Sequence, residues 1–545
     1  MKKKIISVLL AAVMVFSLTA CGGGSDKKSA DGTCYNTYLD TDPTTMDPVK
    51  GNDTYSMGIL RNIMEPLTRL EEDGDKQERK GAGAESWESN DDGTVWTFHL
   101  RDNKWSDGEP VTADDYVYGM KQTLDPEAGS PNAFYITCIK NGEAIYNGEK
   151  DVSELGVKAV DDKTLEITLE YSVPYFLSLT DTRAMYPVRE DLVEKYGESY
   201  GANVESMVGC GPFKMTSWKR NSKIELEKNE NYWDKDSVKL DKVNYQIVSD
   251  QTARFNSFDS GSLDYVACAD KEWIGRFDKK DKVDVVEAPI PTVRYDFFNC
   301  QDKIFSNVNI RKAFTMAVNR EDMCSVIYND IHKPLYGWVP YSTSTGELGE
   351  YRDQVEEPLK SITEDPKELL LKGMQELGLG SDPSTLSITY TLSGTTEWTR
   401  NYAAYCQQMW EKILGVKVEL DFNEWGTFQS KTNNGEFQIA MMTWSIDYDD
   451  PMAMMEVFAG GSNMVPVFWQ NEQYDSLVAQ ARKEMDEKTR VDLYKQAENI
   501  LLAEDCVISP NVNECTHSYY YQYVKNYNKL ASSTSGLKYV DTSAR

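Results

Sequence analysis

From about Asn307 onward the chain alternates between helical periodicity and short strand-like runs, and no other feature narrows its fold as far. Residues 309–328 (NIRKAFTMAVNREDMCSVIY), 363–377, 397–414, 472–485 and 488–503 repeat apolar residues at helical spacing, the third stretch stopped by Gly415. Between them, 386–392, 416–422 and 437–444 read as strands. Strands interleaved with helices of this length predict α/β units in the C-terminal half. The N-terminal half is richer in strands and turns. Residues 94–101 (TVWTFHLR) put Trp96, Phe98 and Leu100 on one face, directly after the turn-forming Asn90-Asp91-Asp92-Gly93. Thr112 with Asp115 three residues later opens a helix through about Leu124. Further strands are expected at 164–170, 223–228 and 243–248. A chain of 545 residues exceeds one small core and implies two to four core-building units.

The N-terminus decides where those units fold. Lys2, Lys3 and Lys4 precede an apolar run from Ile5 to Leu18, then Thr19-Ala20-Cys21-Gly22. A basic start, a short apolar stretch and a small-residue exit describe a secretory signal, residues 1–20. The run is shorter than the ~18–20 apolar residues a membrane-spanning helix needs. Leu18-Thr19-Ala20-Cys21 resembles the bacterial lipobox, in which the Cys becomes the first residue and carries a diacylglyceryl thioether. Cys21 is therefore the expected lipidation site, and 21–33, rich in Gly, Ser, Asp and Lys, the tether that follows it.

Several classes are excluded or left without support. With 88 acidic and 58 basic side chains the net charge is −30, and −33 once the signal is removed; nucleic-acid binding needs the opposite balance. The three histidines, His99, His332 and His517, are far apart, which disfavours a His-based metal or triad site. There is no GxSxG, HExxH, P-loop, GxGxxG or EF-hand loop. Nine cysteines remain after Cys21, with no CxxC and no zinc-like spacing. The odd number leaves at least one unpaired; buried free thiols are the simplest reading, and one or two disulfides are compatible with it.

Five stretches together resemble the extracytoplasmic solute-binding proteins of peptide ABC importers, the oligopeptide- and dipeptide-binding family. These are 83–121 (GAESWESNDDGTVWTFHLRDNKWSDGEPVTADDYVYGMK), 155–177, 209–233, 301–320 and 410–451 with EWGTF, GEFQIA and TWSIDYDDP. They follow the family's order from about Thr41 to about Val512. The resemblance implies an α/β, three-lobed venus-flytrap fold of the periplasmic-binding-protein type. Lobe I would comprise 34–64, 206–298 and 509–545, lobe II 65–205 and lobe III 299–508, with lobes I and III closing on the ligand. It further implies an oligopeptide ligand, ABC permease subunits as partners, a monomer lipid-anchored on the extracytoplasmic face, no cofactor, no metal and no catalysis. Relatives that bind sugars, opines or metal chelates, and receptors for signalling peptides, share this fold; a secreted hydrolase is the reading from another class.

The same resemblance assigns site residues. Trp444-Ser445-Ile446-Asp447-Tyr448-Asp449-Asp450-Pro451 matches the family's W-x-x-D-Y-x-x-P. It implies that Asp447 receives the peptide α-ammonium, a buried charge that must be paired. Asp-Tyr-Asp-Asp-Pro is also turn chemistry, the plainer role for Asp447. Thr443, Trp444, Ser445 and Ile446 would pair backbone with an extended peptide, with the Trp444 ring walling a side-chain pocket or simply packing. On lobe I the opposing backbone falls after Asp47-Pro48, at Gly51, Asn52, Asp53 and Thr54; relatives often carry Glu where this chain has Asn52, and Asp53 would compensate. At the far end of the ligand, Thr399, Thr432 and Met441 occupy positions where relatives carry basic groups, so the neighbouring Arg400 and Lys431 are the candidates for the ligand carboxylate, a solvated helix or loop charge being the plainer role of each.

Overall fold

The computed structural model describes residues 33–73, 76–460, 464–528 and 536–545. The expected signal, Cys21 and all of the tether but Thr33 lie outside the described residues. Four sheets organise the described residues. In the first, strand Cys34–Leu39 runs parallel to Lys242–Ile247, which continues into Lys223–Lys228 and Phe213–Lys219. A second four-stranded sheet is built from Ala84–Ser89, Val95–Leu100, Thr164–Thr168 and Val157–Asp161, with Thr68–Asp73 and Lys76–Gly81 forming a separate two-stranded ribbon. Local chemistry accounts for these pieces. The Asn90 carboxamide oxygen accepts the N–H groups of Thr94 and Val95, each at 2.9 Å, and Gly93 supplies the positive φ of 66° that closes the turn. Thr112 and Asp115 form the expected capping box on helix Ala113–Leu124.

The fourth sheet is the largest. Its main path is Tyr265–Ala267, Ile508–Tyr521, Val283–Phe298, Ile439–Ser445, Ser387–Ser393 and Lys417–Asn423, with Lys333–Pro334 also paired to Ile508–Tyr521. Two long antiparallel strands, Val283–Phe298 and Ile508–Tyr521, carry it from one end to the other. Their register runs regularly from Val283↔Tyr521 to Pro289↔Cys515, then shifts, resuming at Val293↔Asn513. Pro289 and Pro291 lack the N–H a ladder requires, which forces a bulge there. Asn513 holds the bulge by donating to the Ile290 carbonyl at 2.9 Å. On one side of it lies the small aromatic core of Phe255, Phe258, Phe277 and Tyr519. On the other lies the α/β body whose parallel strands Ser387–Ser393 and Lys417–Asn423 are covered by helices.

Two sequence expectations change. The single helix over 309–328 is two helices, Val308–Met316 and Arg320–Tyr328. Asn319 caps the second through a bond from the Asp322 N–H, and the buried Arg320 guanidinium is held by carbonyls of Thr315, Val318, Leu335 and Pro510. That buried cation anchors the break. The helix over 488–503 is Glu487–Asn499 followed by a π-helical turn, Ile500–Glu504. By contrast, 397–414 is helical over its whole length and ends at Gly415 with φ 75°. The nine cysteines among the described residues are all free thiols, seven of them buried. Among the described residues no helix is long and apolar enough to cross a membrane.

Candidate ligand-binding site

Strand Ile439–Ser445 begins in the core and ends in a cleft. Ile439, Ala440 and Met441 are buried, whereas Thr443 and Ser445 are exposed and Met442 and Trp444 half-buried. One edge pairs with Val283–Phe298 all the way from Ile439↔Phe298 to Ser445↔Thr292. The other edge meets strand Ser387–Ser393 only at Tyr390↔Ile439 and Thr391↔Ala440. From Met441 to Ser445 that edge therefore has no strand neighbour among the described residues, and its N–H and C=O groups are available to an extended partner. The Trp444 indole Nε1–H is buried and has no acceptor among the described residues. A buried donor left in this way is one that a ligand or an ordered water completes.

Past the strand, the Ile446 N–H bonds the Pro291 carbonyl at 3.0 Å, so the segment is docked on the bulge of the long strands. The three acids that follow then divide their work. Asp450 is buried, pairs with Arg490 at 3.2 Å, accepts from Tyr494 at 2.9 Å and caps the Met452 N–H. Asp449 accepts the Ser344 N–H at 2.8 Å. Asp450 thus caps the turn and Asp449 ties it to the 344 loop, while Asp447 is open to the cleft and, among the described residues, receives one side-chain bond, from the Tyr135 hydroxyl at 2.7 Å. Crowding by the surrounding protein raises the Asp447 pKa, with the Tyr135 hydroxyl and the Arg183 charge pulling the other way.

Asp447 borders a cavity of about 140 Å³ whose walls come from distant parts of the chain. Met57 and Arg61 stand on helix Thr54–Ile63; Leu70 and Arg79 come from the ribbon, Tyr135 and Asp181–Arg183 from the 133–183 region, and Pro291 and Ile446–Asp449 from the large sheet. Arg183 Nε donates to the Asn132 side-chain oxygen at 2.8 Å. The Asn132 amide in turn donates to the carbonyls of Val49 and Gly51, each at 3.1 Å. A polar chain thus connects the Asp447 neighbourhood to the 48–51 backbone. The 133–183 region is locked against the Asp447 turn a second time by Tyr175 and Tyr448, whose rings stack 5.0 Å apart at 13°.

The other expected residues are distributed unequally. Thr443, Trp444, Ser445 and Ile446 form the strand end just described, and Ser445 Oγ shares a 2.8 Å hydrogen bond with Thr292 Oγ1. Asn52 is exposed beside the Asn132-held turn. Asp53 is the N-cap of helix Thr54–Ile63: it accepts from the Ser56 N–H at 2.7 Å and from the Ser56 and Thr44 hydroxyls. Burial works to raise its pKa, but those donors outweigh it and hold the carboxyl below the ordinary range. Both Asp53 oxygens are thus occupied. Lys431 pairs with Asp421 at 2.7 Å. Arg400 is exposed on helix Glu397–Leu414, without an ion pair among the described residues, and neither cation borders the Asp447 cavity. Sequence reasoning missed Tyr135, Arg183 and Asn132, which carry no local motif. It also missed Arg294, opposite Thr443 in the ladder, which stacks over Trp398 at 3.9 Å and pairs with Glu514 at 2.6 Å. Among the described residues no group of His, Cys, Asp and Glu is arranged to hold a metal ion.

Comparison with known proteins places this architecture. Residues 78–465 match the family described as bacterial extracellular solute-binding proteins, family 5 (middle region). Over 516 residues the chain is 36% identical to the dipeptide-binding protein DppE of Bacillus subtilis (strain 168), covering 93% of each chain. Over 526 residues it is 35% identical to the oligopeptide-binding protein OppA of the same organism, covering 92% of this chain and 93% of that one. The crystal structure of the oligopeptide ABC transporter substrate-binding domain from Bacillus anthracis (strain Ames) superposes with a TM-score of 0.78 at 31% identity, covering 94% of this chain and 99% of that one. With mixed sheets, a cleft between them and this likeness over nearly the whole described length, the chain has the multi-lobed α/β flytrap fold and belongs to the family 5 bacterial extracellular solute-binding proteins.

Proposed function

We propose that this protein is an extracytoplasmic receptor, lipid-anchored through Cys21, that binds oligopeptides and delivers them to an ABC importer. It acts as a monomer and catalyses nothing. The observation that carries the reading is Asp447 itself, a carboxylate open to the cleft, bonded to one neutral hydroxyl and set at the end of an unpaired strand edge. A peptide α-ammonium supplies the missing cation through a charge-assisted bond and fixes the register at the first residue. The backbone that follows lies along 441–445 as an added strand, a pairing every peptide can make. The unpaired Trp444 indole N–H is a further donor for it. The relatives named above as dipeptide- and oligopeptide-binding proteins support the ligand class. Lobe I (34–64, 206–298, 509–545) and lobe III (299–508) then close on the ligand by hinge motion.

Native mass spectrometry of residues 22–545, with denatured controls, tests the ligand class. A ladder of co-purifying masses identifiable as intact peptides is expected. A single non-peptide mass would replace this reading with another solute for the same fold. If the protein purifies empty, a free-amine peptide pool and its N-acetylated counterpart are added, and equal binding of both would remove the role given to Asp447.

A further inference from the structure

The charges around the Asp447 cavity are not balanced by an amine alone. About 140 Å³ is close to the ~150 Å³ that admits a benzene-sized group, so one side chain of roughly five or six heavy atoms fits. Asp181 is paired with Arg79 at 2.8 Å, and in the peptide reading Asp447 is neutralised by the ligand's ammonium. That leaves Arg61 and Arg183 against Asp449. Arg183 is partly engaged by Asn132, and Asp449 by the Ser344 N–H. Arg61, half-buried in the last turn of helix Thr54–Ile63, makes no side-chain hydrogen bond or ion pair among the described residues. Its planar fork of donors matches a carboxylate better than any other side-chain group. The cavity with its ammonium in place is therefore net positive and lacks an acceptor.

We propose that this cavity receives the first side chain of the bound peptide and that Arg61 selects an acidic one, glutamate or aspartate. The inference rests on the peptide reading above. A charge-assisted bond inside a partly enclosed pocket favours Glu over its uncharged isostere Gln by about tenfold. Lys at the first position fares worse than Gln, because its ammonium meets Arg61 and Arg183.

The test uses peptides Xaa-Ala-Ala-Ala with Xaa as Glu, Gln or Lys, each free and N-acetylated. They are titrated calorimetrically into residues 22–545 and into the Arg61→Met and Arg61→Lys variants, with thermal melts reporting that the variants are folded. The expected result is a preference for Glu over Gln of about tenfold that disappears in Arg61→Met and survives in part in Arg61→Lys. Equal affinity for Glu and Gln in the wild type overturns the inference, as does a preference that persists in Arg61→Met. Binding of free but not acetylated peptides without a Glu preference removes this inference and leaves the peptide reading standing. Failure of every peptide to bind removes both.

Discussion

The Tyr135 hydroxyl donates to Asp447 Oδ1 at 2.7 Å across a sequence separation of 312 residues. Tyr135 comes from the short helical turn Ala133–Ile136, and Asp447 follows strand Ile439–Ser445. The bond therefore joins two parts of the fold at Asp447, the exposed carboxylate of the turn. Burial and the Asp447 charge both raise the Tyr135 pKa, so this hydroxyl keeps its proton and acts as donor throughout the working pH range.

Asp447→Asn preserves the shape of the site and the Tyr135 contact but removes the charge. Leaving an ammonium unpaired in a closed cleft costs about 3 kcal/mol or more, on the order of a hundredfold in affinity. Calorimetry should show that loss for free-amine peptides and no change for their N-acetylated forms. An equal loss for both would mean that Asp447 supports the fold rather than the amine.

Tyr135→Phe should weaken free-amine peptides by about fivefold, the worth of ~1 kcal/mol for one hydrogen bond. It should also change the pH profile. Binding needs the ionised carboxylate, so it is present above the Asp447 pKa and lost as the pH falls through it. The Tyr135 hydroxyl lowers that pKa, and without it the acid limb moves to higher pH. Affinities measured from pH 4 to 8 check this; an unmoved limb contradicts it.

Arg490→Met leaves Asp450 buried beside Tyr494 with no cation. Removing one partner of a buried pair typically costs ~3–5 kcal/mol, so urea unfolding should show a loss of about 3 kcal/mol. The discrimination between free and acetylated peptides should survive in the folded fraction, because Asp450 makes the turn and does not meet the ligand.

Burial pushes the Asp449 carboxyl up to about 6, above its unfolded value of ~3.9. An acid raised in the folded state contributes stability fully below its unfolded pKa and loses it as the pH rises through the folded one. Asp449→Asn keeps an acceptor for the Ser344 N–H and removes this slope. Relative to wild type the variant should therefore be more favoured at pH 7 than at pH 4 in urea melts. The same difference at both pH values would refute it.

Thiol titration of residues 22–545 in denaturant should count nine free thiols, with or without prior reduction. In the native protein only the half-buried Cys34 and Cys300 should react, and Cys300 slowly, since burial raises its pKa to about 11. A lower count without reductant would reveal a disulfide.

Where an element depends on its own residues, it was legible. Strand Lys223–Lys228 and helix Glu397–Leu414 fall where alternation and helical periodicity put them, and the Thr112 box caps its helix. The break at Asn319 was hidden because apolar spacing runs through it; what stops the helix is Arg320, whose carbonyl acceptors include Leu335 and the distant Pro510. Asp53 and Lys431 illustrate the converse. Each is the right kind of group for a ligand, and each is claimed by a neighbour that only the folded chain supplies.

Periodicity, turn chemistry and the W-x-x-D-Y-x-x-P segment, all short-range properties, thus established the elements and pointed to Asp447 through its family resemblance. Tertiary packing decided what surrounds it. Tyr135, Arg183, Arg61 and Pro291 converge on one cavity because the two long strands and the Asn132-held turn bring them there. Such contacts are worth little until the chain is closed into its fold, when burial removes competing water and makes each charge need a specific partner. Nothing in the local sequence at 135 or 183 records that need, since it arises only from what the rest of the molecule excludes.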